Sequence, residues 1–241
     1  MQTVAIGIFC KTPAAGQSKT RLSPPLRPDE CAALSACFIS DLTGTIQDVA
    51  QDSAALGYAV YTPAGTEAAL RELLPRQFRL HLQCEGDFGV RLATSMRELL
   101  RSHGGAILVN ADSPTLPASI LRDAIDATRH GDAVVLSPAL DGGYTLIGLS
   151  AFHEKLFVDI PWSTSCVHEK TVERAVELGL PVMNVAGWYD VDDAASLALL
   201  KAELAGERPA FAQRGLIGAD APATRAHFAV RETRVLAELA R

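Results

Sequence analysis

Apolar runs of strand length alternate with helical apolar patterns along most of this chain. That alternation restricts it to an α/β fold with a mostly parallel sheet. The first run, Val4 to Cys10, reads as a buried strand. Leu34, Phe38, Leu42, Ile46 and Val49 then recur at helical spacing, with Pro28-Asp29 near the start. Strands are expected at Tyr58–Tyr61, Arg79–Gln83, Ala106–Val109, Ala133–Leu136 and Val182–Val185, with Thr145–Leu149 pairing beside Ala133–Leu136. Helices are expected at Glu67–Leu74, Phe88–Leu99, Ser119–Arg129, Cys166–Leu178 and Ala194–Leu204. The expected architecture is a three-layer α/β/α sandwich. Residues 1–205 form the domain. Gly206 to Pro222, rich in Gly and Pro, reads as a linker to a C-terminal helix lined by Phe228, Val230, Val235, Leu236 and Leu239, packed on the same domain.

The segment after the first strand, Lys11 to Leu22, holds Gly16 and the cations Lys11, Lys19 and Arg21. A loop at the carboxyl end of a first strand is where open α/β sheets bind ligands. Arg makes forked contacts and Lys supplies a mobile point charge, so the loop suits a polyphosphate. The spacing is not GxxxxGK[ST], and no GxGxxG follows the strand.

Apolar residues make up 48% of the 241-residue chain and the net charge is −6. The balance excludes a general nucleic-acid binder, which wants a basic field. Five cysteines without a CxxC pair argue against a disulfide framework or structural zinc and for buried thiols in a reducing cytoplasm. No signal peptide and no membrane span are expected.

Acids recur where strands end. Asp112 follows Ala106–Val109 beside Pro114, and suits either Mg²⁺ or a helix cap. Asp190 and Asp192 fall on one side of an extended segment with Val191 opposite, and one of Asp190, Asp192 and Asp193 caps the next helix. Asp141-Gly142-Gly143 is a turn that presents Asp141 at the sheet edge. Asp87 reads as a helix cap, while Gly86 and Arg91 are placed to line a nucleotide pocket. Trp162 offers an aromatic wall, with Ser163 or Thr164 capping the following helix.

In order, these segments resemble the GT-A-fold glycosyltransferase-like and nucleotidyltransferase-like family of the nucleotide-diphospho-sugar transferase superfamily, akin to the 2-phospho-lactate guanylyltransferases. The elements are Lys11–Leu22, Gln83–Arg91, Asn110–Leu116, Asp141–Gly148, Pro161–Thr164 and Asp190–Asp192, across roughly residues 4–200. The resemblance implies a nucleotide ligand with Mg²⁺ or Mn²⁺ and a small-molecule acceptor. It implies that Lys19 and Arg21, with Lys11, Gly16, Gln83, Gly86 and Arg91, line the nucleotide and its phosphates. Asp112 and Asp192 would hold the metal, and Asp141, Gly142, Gly143 and Trp162 would face the acceptor. The chain departs from the pattern at Asn110, where Gly is usual, and at Thr115 and Leu140, where acids are frequent. The leading expectation is transfer of a nucleotidyl group to a phosphorylated acceptor, with Lys19, Arg21 and Asp112 as the catalytic set. The alternatives are glycosyl transfer from a nucleotide sugar and nucleotide binding without turnover.

Overall fold

The computed structural model describes residues 3–239, and side chains as far as residue 231. Seven strands form one sheet: β1 Val4–Lys11, β2 Ala55–Thr62, β3 Arg79–Leu82, β4 Gly105–Asn110, β5 Val134–Pro138, β6 Tyr144–Leu149 and β7 Val182–Asn184. Their order across the sheet is β3-β2-β1-β4-β6-β5-β7. All neighbours are parallel except β6, which runs antiparallel to both β4 and β5. The long helices are α1 Pro28–Asp52, α3 Phe88–Leu100, α4 Ala118–Arg129, α5 Val167–Glu177, α6 Ala194–Leu204 and α7 Pro222–Leu239; α2, Glu67–Arg71, is a single turn.

β1 shows why a continuous apolar run becomes a central strand. Ile6, Ile8 and Cys10 face Phe38, Leu42 and Ile46 of α1 and Ile120 and Ile125 of α4. Ala5, on the other face, packs with Val60, Leu108 and the α3 residues Leu92, Met96 and Leu99. Both faces are covered, as parallel strands require. The strands expected from the sequence are all present, with ends shifted by up to three residues. The expected helix at Glu67–Leu74 closes early, at Arg71.

The segment 206–221 lies against the sheet domain. Phe211 packs on Trp188 and Tyr189 with ring centroids 5.5 and 5.8 Å apart, and the Ala219 N–H donates to the Thr115 carbonyl at 2.9 Å. The buried Asp41 of α1 accepts from the Ala223 and Thr224 N–H groups and the Thr224 hydroxyl, which fastens the start of α7. Phe228 is buried, but Val230 is 70% exposed. Two positions along a helix turn the side chain about 200°, so the two cannot share a face. The side chains of Val235, Leu236 and Leu239 lie outside the described residues. Among the described residues, no helix is long and apolar enough to cross a membrane.

Candidate active site

The carboxyl ends of β1, β4 and β5 and the segment after β7 deliver their loops to one side of the sheet. Together they border a cleft of about 550 Å³. Lys11, Lys19, Arg21, Asp112, Asp141 and Asp192 all line it. Ser163, Thr164 and Ser165 form a further wall, and Gln17, Ser18, Thr20 and Ser35 add polar side chains near the basic loop. Ser163 and Thr164 belong to the segment that the sequence offers as an aromatic wall with a hydroxyl pair; Ser35 and Ser165 are single residues without a sequence signal.

The basic loop is a folded turn. Ala14 O accepts from the N–H groups of Gln17 and Ser18, and the Ser18 hydroxyl accepts from the Ala14 N–H at 3.1 Å. Lys19 then adopts φ 49°, the left-handed region that non-glycine residues avoid. That backbone turn sends its side chain inward. The ammonium pairs with Asp112 Oδ1 at 2.7 Å and Asp192 Oδ1 at 2.9 Å, and donates to the Val191 carbonyl at 2.6 Å. Burial alone would lower the Lys19 pKa; the charges of Asp112 and Asp192, and the hydrogen bonds to them, more than reverse it, and the net shift is upward. Lys19 is therefore not an idle cation on the wall but the bridge between two acids.

Those acids come from distant loops that are also tied through the backbone, with the Val191 N–H donating to the Asp112 carbonyl at 2.9 Å. Asn110, one of the departures, shapes the first loop: its Oδ1 accepts from the Ser113 hydroxyl at 3.0 Å and the Asp112 N–H at 3.3 Å. Helix α4 begins after Pro117, so Asp112 is not its cap. Val191 is buried, and Asp193 caps α6 through the Ser196 N–H. Asp190 sits behind the pair. Burial first, then the charges of Asp141, Asp192 and Asp112, push its carboxyl up to about 7. Desolvation is the larger cause and the neighbouring acids add to it.

Thr115, the second departure, does not face the cleft. It is fully buried, and its hydroxyl donates to Glu203 Oε2 at 2.7 Å and accepts from Trp188 Nε1 at 3.2 Å. Tyr189 donates to the same Glu203 oxygen. Leu140, the third, is exposed on the β5–β6 turn. In that turn Gly142 has φ +90°, and a Cβ there would lie 1.9 Å from the Ser165 carbonyl oxygen. Glycine thus lets the Asp141 turn touch the 163–165 wall, where the His168 N–H donates to Gly142 O. Asp141 Oδ1 accepts from the Gly143 N–H at 2.8 Å.

The remaining sequence-selected residues sit around the cleft and do not line it. Gln83 is buried; its amide donates to the Cys10 and Val60 carbonyls at 3.2 and 2.8 Å and its Oε1 accepts from Arg91 at 2.7 Å. Arg91 lies 5.9 Å from the ring centres of both Phe9 and Phe88. Asp87 caps α3 by accepting from the Val90 N–H, and Gly86 before it has φ +126°. Trp162 packs on Phe88, ring centres 5.2 Å apart, directly over Gly89, where a Cβ would meet its indole nitrogen at 2.3 Å. Gly16 turns the basic loop at φ +72°. Neither Ser163 nor Thr164 caps α5; the Thr164 hydroxyl donates to the Pro161 carbonyl instead. All five cysteines are free thiols.

Over 97% of the chain and 96% of its counterpart, the structure superimposes on a protein of Desulfovibrio desulfuricans G20 named as a candidate nucleotide-diphospho-sugar transferase, with 27% identity and a TM-score of 0.80. The fold is that of the nucleotide-diphospho-sugar transferases. Residues 45–164 match the family model described as an uncharacterized protein conserved in bacteria (DUF2064). That span contains Asp112, Asp141 and Trp162 but neither Lys19 nor Asp192. The same fold occurs in 4-diphosphocytidyl-2C-methyl-D-erythritol synthase of Anaerococcus prevotii DSM 20548 (10% identity, 85% of this chain and 96% of that one, TM-score 0.53). It occurs too in CMP:2-keto-3-deoxy-manno-octonic acid synthetase complexed with CTP (12% identity, 86% and 100%, TM-score 0.53). No curated protein sequence matches the chain.

Proposed function

We propose that this protein is a nucleotidyltransferase that joins a nucleoside triphosphate to a small phosphorylated acceptor and releases pyrophosphate, with a divalent cation held by Asp112 and Asp192. The chain carries the fold of a transferase of nucleotidyl or glycosyl type. The observation that carries the reading is the Lys19 bridge. Two carboxylate oxygens from separate loops converge on one positive point. Hard oxygen donors already arranged about a cation fit Mg²⁺ or Mn²⁺.

A bound divalent ion would supply charge neutralisation at the phosphates and at the leaving group. The chain's own residues do the rest. Lys11 and Arg21 are exposed on the cleft wall and would hold the phosphate tail. Lys19 would be released from the carboxylates once the metal replaced it there, and could then bind phosphate. The acceptor's phosphate oxygen attacks the α-phosphorus; a P–O bond forms, the α–β P–O bond breaks, and pyrophosphate leaves against these cations. No general base is required, because the acceptor is already anionic. Catalysis is then positioning and preorganised electrostatics. Gln83 and Arg91 would support the nucleotide side, and Asp141, Gly142, Gly143 and Trp162 the acceptor side.

Glycosyl transfer is the second reading, favoured by the sugar-transferase designation of the Desulfovibrio relative. Incubation with a panel of nucleoside triphosphates and nucleotide sugars, with Mg²⁺ and phosphorylated acceptors, separates the two. Pyrophosphate release is expected. Nucleoside diphosphate release would establish the second reading, and binding without either product would overturn both.

A further inference from the structure

A smaller hollow of about 130 Å³ adjoins the cleft, with Phe9, Ala111 and Asp112 lining both. Its other walls come from three elements. Phe88 and Leu92 stand on the first turns of α3, Leu108 on β4, and Ile147 on β6. Phe9 and Phe88 meet edge to face at 5.5 Å, Trp162 backs Phe88, and Arg91 lies over both phenyl rings while Gln83 holds its guanidinium. The aromatic wall is thus fixed by its own contacts.

The polarity of the hollow is one-sided. Asn110 and Asp112 stand at the end shared with the cleft. The Asn110 oxygen is used within its own loop, and the Thr145 hydroxyl is used by Ser137 at 2.9 Å. Tyr144 of β6 also lines the hollow and brings a buried hydroxyl without a hydrogen-bond partner, while Phe9, Phe88, Leu92, Leu108, Val109 and Ile147 make the rest of the wall hydrocarbon. At roughly 30 Å³ per heavy-atom group, the space takes about four carbons.

We infer that this hollow receives a short alkyl substituent of the acceptor, whose reacting phosphate lies beside Asp112. The inference rests on the nucleotidyl-transfer reading and names its substrate class: a small phosphate ester with an apolar group of up to about four carbons. A bulkier or strongly polar substituent has no place against Phe9, Phe88 and Leu92.

The test is calorimetric titration of the 241-residue chain, in Mg²⁺ and without nucleotide, with monoalkyl phosphates from methyl to octyl. Affinity should rise about fourfold per methylene as far as butyl and then level off. Phe88→Ala removes a partly exposed wall residue and should flatten the rise with chain length. Leu92→Phe should end the rise at a shorter chain. Affinity independent of chain length, a slope unchanged in both variants, or no binding by any ester would overturn the inference. Its failure is distinct from that of the reaction. A chain-length slope with no pyrophosphate from any nucleotide leaves the subsite standing and removes the chemistry. Pyrophosphate formation with no alkyl preference does the opposite.

Discussion

Lys19 concentrates the account at the level of single residues. Its strained backbone, buried side chain and paired carboxylates belong together: the left-handed turn aims an ammonium at a point that two acids would otherwise leave mutually repelling. The sequence showed the cation and both acids but assigned them to different partners, phosphate and metal. The shared carboxyl edge of parallel strands predicts that they converge, but not that the ammonium bridges the two acids directly. Lys19→Met tests the bridge without any assay of turnover. Because the acids are partly exposed, the metal-free variant should lose on the order of 1–3 kcal/mol. Mg²⁺ should then raise the variant's melting temperature more than it raises that of the wild type. Equal metal-induced shifts in the two proteins would show that Lys19 and the cation do not share a position.

At the level of elements, the segment between β7 and α6 is the one that must be held in place. It carries Asp190 and Asp192, and two devices fix it. One is the backbone bond from Val191 to Asp112. The other is Glu203 of α6, which gathers Thr115 and Tyr189 into a buried hydrogen-bonded group joined by Trp188. Thr115 thus belongs to the scaffold of the site, and an acid missing at that position takes nothing from the cleft. The sequence could not reveal this, because an isolated Glu in the last turn of a helix looks like a solvated surface residue. Glu203→Ala should strand two buried hydroxyls and cost roughly 2–4 kcal/mol in denaturant unfolding. A change below about 0.5 kcal/mol would show that the group is not holding the segment.

For the whole molecule, the strand order and the antiparallel β6 place the acid-bearing loops on one border of the sheet, facing the basic loop. Strand and helix periodicity made that architecture legible, as did the acids at strand ends, since parallel strands share a carboxyl edge. Trp162 with Ser163 and Thr164 is legible as a wall segment, but its contact with Phe88, the Phe9–Phe88 pair and the apolar hollow are not, because they are assembled from residues ordinary in their own segments. The central claim is that Asp112 and Asp192 bind nucleotide through a shared cation. Titration calorimetry of nucleoside triphosphate with Mg²⁺ and with chelator tests it most directly. The metal should strengthen binding by about tenfold or more, the equivalent of one charge-assisted contact, and Asp112→Asn should abolish the gain while leaving the circular dichroism spectrum unchanged. The same affinity with and without chelator would contradict the account.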